Sequence, residues 1–497
     1  MIDALQREML PSAVPLLPGV QVAASYLPAR AGTAAGGDWF DAVPLPGGRL
    51  GLVVGDVVGH GLAASAIMGQ LRVVTSERLV ATGDLHEALR SADATAQRIP
   101  GARSATVCVA VLDPVSGVVE YACAGHPPPL VVAAGEARFL ESTGGRPLGV
   151  RGDHDTAAGR AELVEGDLLL LYTDGILERP GRTLAEATVE LLRTVGDVTA
   201  GRALREPSPL VADRVCTQTV ELLARVSGHS DDITLLAAQL VPQPADLHRV
   251  YPAMGESLPL LRAEITGWLA DAGVGPADAD SLRYAAVELA TNAIEHAYLD
   301  SVGDDEFVVT GRLTAGGHAE VEVSDRGRWR EPRPSGDRGL GLQLTAAMVD
   351  RFRVDHGDTG TTSSVRHLVG RPARLLSATD LGFAVAPAPP DPPLVVEDHS
   401  SAAGPGIRVS GPVDAHTAGM FQQAVHTAGA TGTRGLTVDL SDVTHLTSAG
   451  VSALHRLMGR HSDNSTELRL FAPVATSADV VLTMVGIAHD TELPEGW

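Results

Sequence analysis

The sequence predicts an α/β multidomain chain: a layered α/β sandwich over residues 20–241, a second α/β sandwich over 247–372, and a small α/β domain over 394–497. Three observations predict it. Short apolar runs of strand length alternate with helix-length stretches through most of the 497 residues. The style of that alternation changes twice, at Pro242–Asp246 and across the Pro-rich linker 377–393, which contains APAPPDPP. No apolar run approaches the roughly 18 residues that a membrane-spanning helix needs.

Residues 1–19 read as the end of a linker helix, with Leu5, Met9 and Leu10 as its apolar stripe, running into the Pro-rich LPSAVPLLPG. The opening MIDALQREML lacks the apolar core of a signal peptide. Between 20 and 241, strands are expected at Leu50–Val54, Thr106–Leu112, Val118–Ala122, Leu168–Tyr172 and Ile233–Leu240, with helices near 61–80 and 207–226. In 247–372, Leu258, Leu261, Ile265 and Trp268 recur at helical spacing. A second helix is expected over 281–299, then strands near 306–314 and 319–324, then Gly-rich loops. The last segment alternates strands at Ile407–Ser410, Leu436–Leu440 and Leu468–Phe471 with helices near 416–428, 449–460 and 477–486. The three segments differ, so there is no internal repeat.

Composition excludes several functions. The net charge of −23 argues against a broad nucleic-acid surface. All 38 basic residues are arginine. A chain without lysine has no Walker-A lysine, no protein-kinase strand lysine and no Schiff-base site. Aromatic residues are only 3%, too few for a base-stacking platform. Cys108, Cys123 and Cys216 lie apart in apolar stretches, which reads as buried thiols in a reducing compartment. The expectation is a cytoplasmic protein with neither nucleic acid nor membrane among its partners.

Four aspartates at strand ends form the first constellation. Gly36-Gly37-Asp38-Trp39-Phe40-Asp41 precedes a hairpin, and Asp56-Val57 in GDVVGHG ends a strand. Asp174 follows the strand LLLLY, and Ser230-Asp231-Asp232-Ile233-Thr234 starts the last strand. Singly, Asp and Gly are ordinary turn residues. Together they can converge on one edge of a sandwich, where divalent cations relieve their repulsion. Hard Mg²⁺ or Mn²⁺ suits oxygen ligands, and two such ions can hold a hydroxide for in-line attack on phosphorus.

The set GGDWFD, GDVVGHG, AGHPPPL, YTDGILE and DDITLL resembles the SpoIIE/RsbU branch of the type 2C (PPM) metal-dependent serine/threonine phosphatases. The resemblance covers about 20–241 and implies an αββα sandwich with two Mn²⁺ or Mg²⁺ ions. It implies that Asp56 bridges both metals and that the Val57 carbonyl ligates one. Asp174 and Asp231 would complete the other, and Asp38 would hold metal-bound water. Asp231, not Asp232, is the match in the DD pair. His60 is similar to the histidine of the family's DGHG motif, but two extra residues separate it from Asp56. A general-acid role and a helix-terminal contact both stay open for it. His126 either orders the site or is purely structural. The phosphate-gripping arginine of many eukaryotic relatives has no match here.

The second constellation lies on the helix near 281–299. Glu288 and Asn292 are i,i+4 and share a face. An Asn amide oxygen can ligate Mg²⁺ while a Glu one turn earlier orients or deprotonates a nucleophile. Asp325-Arg326-Gly327 follows the strand VEVS, and an Asp there can accept from an adenine amino group. Gly339-Leu340-Gly341-Leu342 opens a helix whose bare amides can cradle phosphate, and Gly360-Thr361-Thr362 can close the pocket. Together these resemble the N, G1 and G2 boxes of the GHKL ATPases, and most closely the RsbW/SpoIIAB-type serine kinases and anti-sigma factors. The resemblance implies ATP with Mg²⁺, with Glu288 as catalytic base and Asn292 on the metal. Asp325, Gly327, Gly339, Gly341 and Thr362 would hold the nucleotide. The G1 segment departs from the pattern: it reads Asp-Arg-Gly-Arg-Trp, with Trp329 in place of its second Gly. His248 is not followed by the acidic residue of a histidine-kinase box.

The third constellation, Asp439 to Val451, runs from a strand into a helix, with Ser448 where an N-cap belongs. A phosphate there would face the positive end of the helix. The segment resembles the phosphoacceptor loop of STAS-domain anti-anti-sigma factors, with Thr447 in place of the usual Asp. The expectation is a metal-dependent serine/threonine phosphatase of a partner-switching system. Its partners would be phosphorylated STAS anti-anti-sigma proteins and a sigma factor, and relatives of the ATPase module suggest a homodimer. The alternative is a nucleotide-dependent regulatory binding protein with a weak or conditionally inactive phosphatase.

Overall fold

The computed structural model describes residues 9–29, 36–59, 61–150, 156–202, 210–229, 231–298, 305–327, 340–357, 360–376, 394–401, 404–413, 417–446, 448–474 and 476–492. The Pro-rich linker 377–393 lies outside them.

Strands buried on both faces read as unbroken apolar runs. Thr106–Leu112, Leu168–Tyr172 and Ile233–Leu240 are buried at every residue. They sit at the middle of two sheets packed face to face. One sheet runs Arg374–Leu375, Val20–Leu27, Ile233–Leu240, Leu168–Tyr172, Leu130–Ala133, Glu136–Phe139. The other runs Trp39–Pro44, Leu50–Asp56, Thr106–Leu112, Val118–Ala124, Gly159–Glu162. Helices α1 (Leu62–Thr82) and α2 (Leu85–Arg98) cover the second sheet. Helices α3 (Leu184–Thr199) and α4 (Val211–Ser227) cover the first. The expected αββα sandwich is present. Helices α2 and α3, which the apolar pattern did not reveal, carry clear start signals. Asp84 accepts from the His86 and Glu87 amides, and Thr183 with Glu186 forms a capping box.

The second domain is a five-stranded antiparallel sheet, ordered Leu247–Pro252, Glu306–Leu313, His318–Asp325, Gly360–Leu368, Arg351–Gly357. Helices α5 (Ser257–Asp271), α6 (Pro276–Asn292) and α7 (Leu340–Met348) pack on one face. Val309, Val321, Val323 and Val365 meet Leu261, Ile265, Leu282 and Leu289 in its core. The helix expected over 281–299 begins earlier, at Pro276, where proline suits a first helical turn. It gives way to a π-helical turn at Ala293–Ala297.

The third domain orders its sheet Val395–Asp398, Gly406–Val413, Leu436–Leu446, Leu468–Phe471. Helices α8 (Ala418–Ala428), α9 (Ser448–Asp463) and α10 (Ser477–Met484) pack on it. Its core is continuous with the α3/α4 layer of the first domain.

Two short strands stitch the first two domains together. Ala13–Pro15 pairs antiparallel with Gly370–Pro372, and Arg374–Leu375 adds parallel to Ser25–Tyr26. Within the segment 1–19, the Pro-rich stretch after the expected helix end is already strand at Ala13. Pro11, Pro15 and Pro18 withhold the amides that a helix would need.

Candidate active site

The two sheets bring four loops to one end of the sandwich. Asp56 closes its strand opposite Trp39's neighbour in register, Gly55 pairing Trp39, and itself pairs Thr106. Asp38 lies just before that same hairpin and is 3% exposed. Its Oδ2 accepts from Thr173 Oγ1 at 2.6 Å and from Thr234 Oγ1 at 3.0 Å. These two threonines flank Asp174 and Asp232 in sequence and hold each other, the Thr234 amide donating to Thr173 Oγ1 at 2.9 Å. The Gly36–Asp38, Asp56–Val57, Thr173–Gly175 and Asp231–Thr234 segments are thereby fixed against one another.

Glycine makes the approach possible. A Cβ at Gly37 would fall 2.1 Å from the Val57 carbonyl oxygen and 3.0 Å from Asp56 Oδ1. A Cβ at Gly36 would overlap the Asp232 carboxylate and crowd the Tyr26 hydroxyl. The Val57 amide donates to Gly37 O at 3.2 Å, which locks this close pass.

Charge accumulates here. Burial, then the carboxylates of Asp56, Asp232 and Asp231, push the Asp38 carboxyl well above the usual range, against the opposing pull of the Thr173 hydroxyl. Burial and then the charge of Asp232 likewise raise the Tyr26 phenol. Asp232 is 4% exposed, and its Oδ1 accepts from the Ala29 amide at 2.6 Å. Tyr26 also hydrogen-bonds its carboxylate. Asp232 thus anchors Ala29 at the exit of the first strand, while Asp231 is more exposed and lies beside it, accepting from the Asp232 amide at 2.8 Å. Asp41, in the same GGDWFD run, serves α1 instead, bonding Ser76 at 2.7 Å and Arg72 at 3.2 Å.

Among the described residues, no three His, Cys, Asp or Glu side chains already form a finished metal cage. The donor set nevertheless fits a hard divalent cation. It consists of buried and half-buried carboxylates that repel one another and a backbone carbonyl left uncovered by glycine.

His126 is structural. It is 3% exposed, with Nδ1 2.8 Å from Thr106 Oγ1 and Nε2 3.0 Å from the Tyr172 carbonyl. A carbonyl can only accept, so Nε2 carries the proton and Nδ1 takes the threonine's. Burial pushes the imidazole down to about 4, so it stays neutral. It ties the AGHPPPL loop across both sheets just below the aspartates. His60, Ser230, Gly339 and Thr447 lie outside the described residues.

A further support was not evident in the sequence. Arg179 has no exposed surface and bonds Ile176 O, Leu223 O, Ser227 Oγ and, at 2.7 Å, Glu190. It clamps the turn after Asp174 to α3 and α4.

In the second domain, the Gly341 Cβ position overlaps the Glu288 carboxylate, so the start of α7 rests on that side chain. Asn292 Nδ2 donates to Glu288 O at 2.8 Å, leaving the amide oxygen for another partner. Asp325 ends its strand, and its Oδ1 accepts from the Gly327 amide at 2.9 Å. Burial raises its carboxyl, against the backbone bonds of Gly327 and Thr361. Gly327 passes within 2.3 Å, measured from a would-be Cβ, of Ala297 O in the π-turn. The register pairs Asp325 with Thr361 and Ser324 with Thr362. Thr361 therefore shares the helix-facing side with Asp325, and Thr362 lies on the other side. In the third domain, α9 starts at residue 448, and Asp439 is fully buried and held by Arg408 at 2.8 Å.

Three family descriptions match the chain in order: stage II sporulation protein E (SpoIIE) over 46–241, a histidine kinase-like ATPase domain over 251–366 and a STAS domain over 400–492. The crystal structure of the RsbU and RsbW domains of a Mycobacterium tuberculosis protein is 40% identical, with a TM-score of 0.66. That match covers 73% of this chain and 99% of the other. The chain belongs to the SpoIIE/RsbU phosphatase family, in its RsbU–RsbW form. Protein IcfG from Synechocystis sp. is 25% identical over 264 residues, which are 47% of this chain and 40% of that protein's length. The PP2C phosphatase domain of SpoIIE from Bacillus subtilis, with a fragment of its regulatory domain, is 17% identical with a TM-score of 0.38, covering 45% of this chain and 64% of that one. The RsbU-type domain carries the aspartate edge, the RsbW-type domain carries Glu288, Asn292 and Asp325, and the STAS domain carries Ser448. This is a partner-switching architecture in one chain. No described helix is long and apolar enough to cross a membrane.

Proposed function

We propose that the RsbU-type domain is a divalent-metal-dependent phosphoserine phosphatase acting on STAS proteins. The observation that carries this reading is the glycine cradle. Gly36 and Gly37 admit Asp38, Asp56 and the Val57 carbonyl to a single edge with Asp231 and Asp232. Asp56, the Val57 carbonyl, Asp174 and Asp231 would hold Mn²⁺ or Mg²⁺. When bound, the metals supply an acidified water and charge neutralisation at phosphorus. Asp38, held by Thr173 and Thr234, positions and accepts hydrogen bonds from water at that edge. The protein's share is alignment and electrostatic preorganisation.

The RsbW-type domain would bind ATP with Mg²⁺. Asp325 and Thr361 would read the adenine, Asn292 would ligate the metal, and Glu288 would orient the acceptor hydroxyl. Its product would be a phosphorylated STAS serine, the substrate of the first domain, and a sigma factor would be the released partner. Hydrolysis of p-nitrophenyl phosphate, with Mn²⁺ and with EDTA, tests the first half. Turnover is expected with Mn²⁺ only, and Asp56→Asn removes it. Metal-independent turnover, or turnover that survives in Asp56→Asn, overturns the assignment.

A further inference from the structure

Ser104 is a non-glycine residue in the left-handed region, with φ 80°. Such a conformation is strained and persists only where surroundings over-determine it. Here every polar group of the residue is used. Its amide donates to Leu148 O at 2.7 Å. Its carbonyl accepts from Ser452 Oγ at 2.9 Å, and its hydroxyl accepts from Arg456 Nη1 at 2.9 Å. Both partners are on α9 of the STAS domain. Ser104 and Ser452 are each wholly buried. Ser452 gives its hydroxyl to the other domain and not to its own helix, which is unusual for a mid-helix serine. The remaining nitrogens of Arg456 hold Gln422 of α8 at 2.9 and 3.1 Å, which fixes its direction. A second contact lies at Gly486, whose Cβ would fall 3.0 Å from Gly144 Cα of the phosphatase domain.

The docked segment leads directly to the carboxylate edge. Two residues after Ser104, Thr106 pairs with Asp56 and bonds His126. On the other side of the contact, α9 starts at residue 448, one turn or about 6 Å before Ser452. Positions 448, 452 and 456 follow one another at i, i+4 and i+8, and so lie along one face of the helix.

We propose that this face of α9 is a built-in docking surface for the phosphatase domain, which removes phosphate from Ser448 of its own chain in cis. The proposal rests on the phosphatase reading above. In the step, a water oxygen bonds to phosphorus and the bond from phosphorus to the Ser448 oxygen breaks. The serine oxygen takes a proton, and inorganic phosphate leaves. Tethering supplies the substrate at an effective concentration on the order of millimolar, so the rate becomes independent of protein concentration.

The test uses the full chain carrying phosphoserine at 448, started with Mn²⁺ and followed by phosphate release. Over about a hundredfold dilution the first-order constant is expected to stay level, while in Arg456→Ala it falls at least about tenfold at the dilute end. Ser104→Gly, which keeps the left-handed backbone and the carbonyl, is expected to fall less. Turnover of p-nitrophenyl phosphate should be equal in all three. A wild-type constant that scales with concentration overturns the proposal. So does an Arg456→Ala constant that is unchanged or faster, the faster result marking α9 as a block. The difference in hydrogen exchange of residues 101–106 between wild type and Arg456→Ala reads the docking without any activity, because the amides of Ala102, Ser104 and Ala105 already bond within the phosphatase domain. Stronger protection in wild type than in Arg456→Ala is expected, and equal protection overturns the docking surface. That difference without p-nitrophenyl phosphate turnover shows instead that the phosphatase reading has failed, and the cis reaction with it.

Discussion

Replacing Gly37 by alanine adds one methyl group at the point where the chain passes the candidate metal-binding carbonyl. That methyl would lie 2.1 Å from Val57 O, whereas real Cβ contacts essentially never fall below 3.0 Å. The two segments must therefore part by at least about 0.9 Å, and the Val57 amide bond to Gly37 O opposes the movement. A misplacement near 1 Å at a reacting centre costs roughly a hundredfold in rate, or about 2.7 kcal/mol of barrier. Overpacking also lowers stability by about 1–3 kcal/mol. The assay is Mn²⁺-dependent hydrolysis of p-nitrophenyl phosphate, with a melting curve to show that the variant is folded. Gly267→Ala is the control, since a Cβ there meets nothing within 4 Å and the position is mid-helix in α5. It should leave turnover unchanged. A folded Gly37→Ala protein with turnover within about threefold of wild type would refute the cradle argument.

Other consequences are open to measurement. His126 is held neutral in the fold, its pKa near 4 against 6.5 in the unfolded chain, so the unfolded state binds the extra proton. Its contribution is fully present above pH 6.5 and is lost as pH falls towards 4. About 2 kcal/mol should be gone at pH 5 in urea titrations, and His126→Gln should flatten that slope. Arg179→Ala removes a fully buried guanidinium and leaves the Ile176 and Leu223 carbonyls and the one-third-exposed Glu190 without that donor, which should cost about 1–3 kcal/mol by the same titration. In the RsbW-type domain, Thr361→Val should weaken ATP binding severalfold by calorimetry, while Thr362→Val, on the other side of the sheet, should not.

The legible parts of the chain were those where a single residue type decides the outcome. Central strands such as Ile233–Leu240 are apolar throughout because both faces are buried, and they were visible as runs. Edge strands such as Gly159–Glu162, with alternating partial exposure, were not. The four aspartates stood out because each follows or precedes a strand end, three of them directly beside glycine. The threonines that orient Asp38 did not, since Thr173 and Thr234 are 61 residues apart and meet only through strand pairing. Thr361 and Thr362 are adjacent letters, and only the pairing register separates them. The contact of Ser104 with α9 spans 348 residues and carries no local signal at all.

The central claim is that the aspartate edge removes phosphate from a STAS serine by a metal-dependent route. Phosphate release from the full chain bearing phosphoserine at 448, compared between wild type and Asp174→Asn at saturating Mn²⁺, tests it most directly. Release in wild type that EDTA stops, and its loss in Asp174→Asn with the fold intact, is the predicted result. Equal release from both proteins, or release that EDTA leaves untouched, would contradict it.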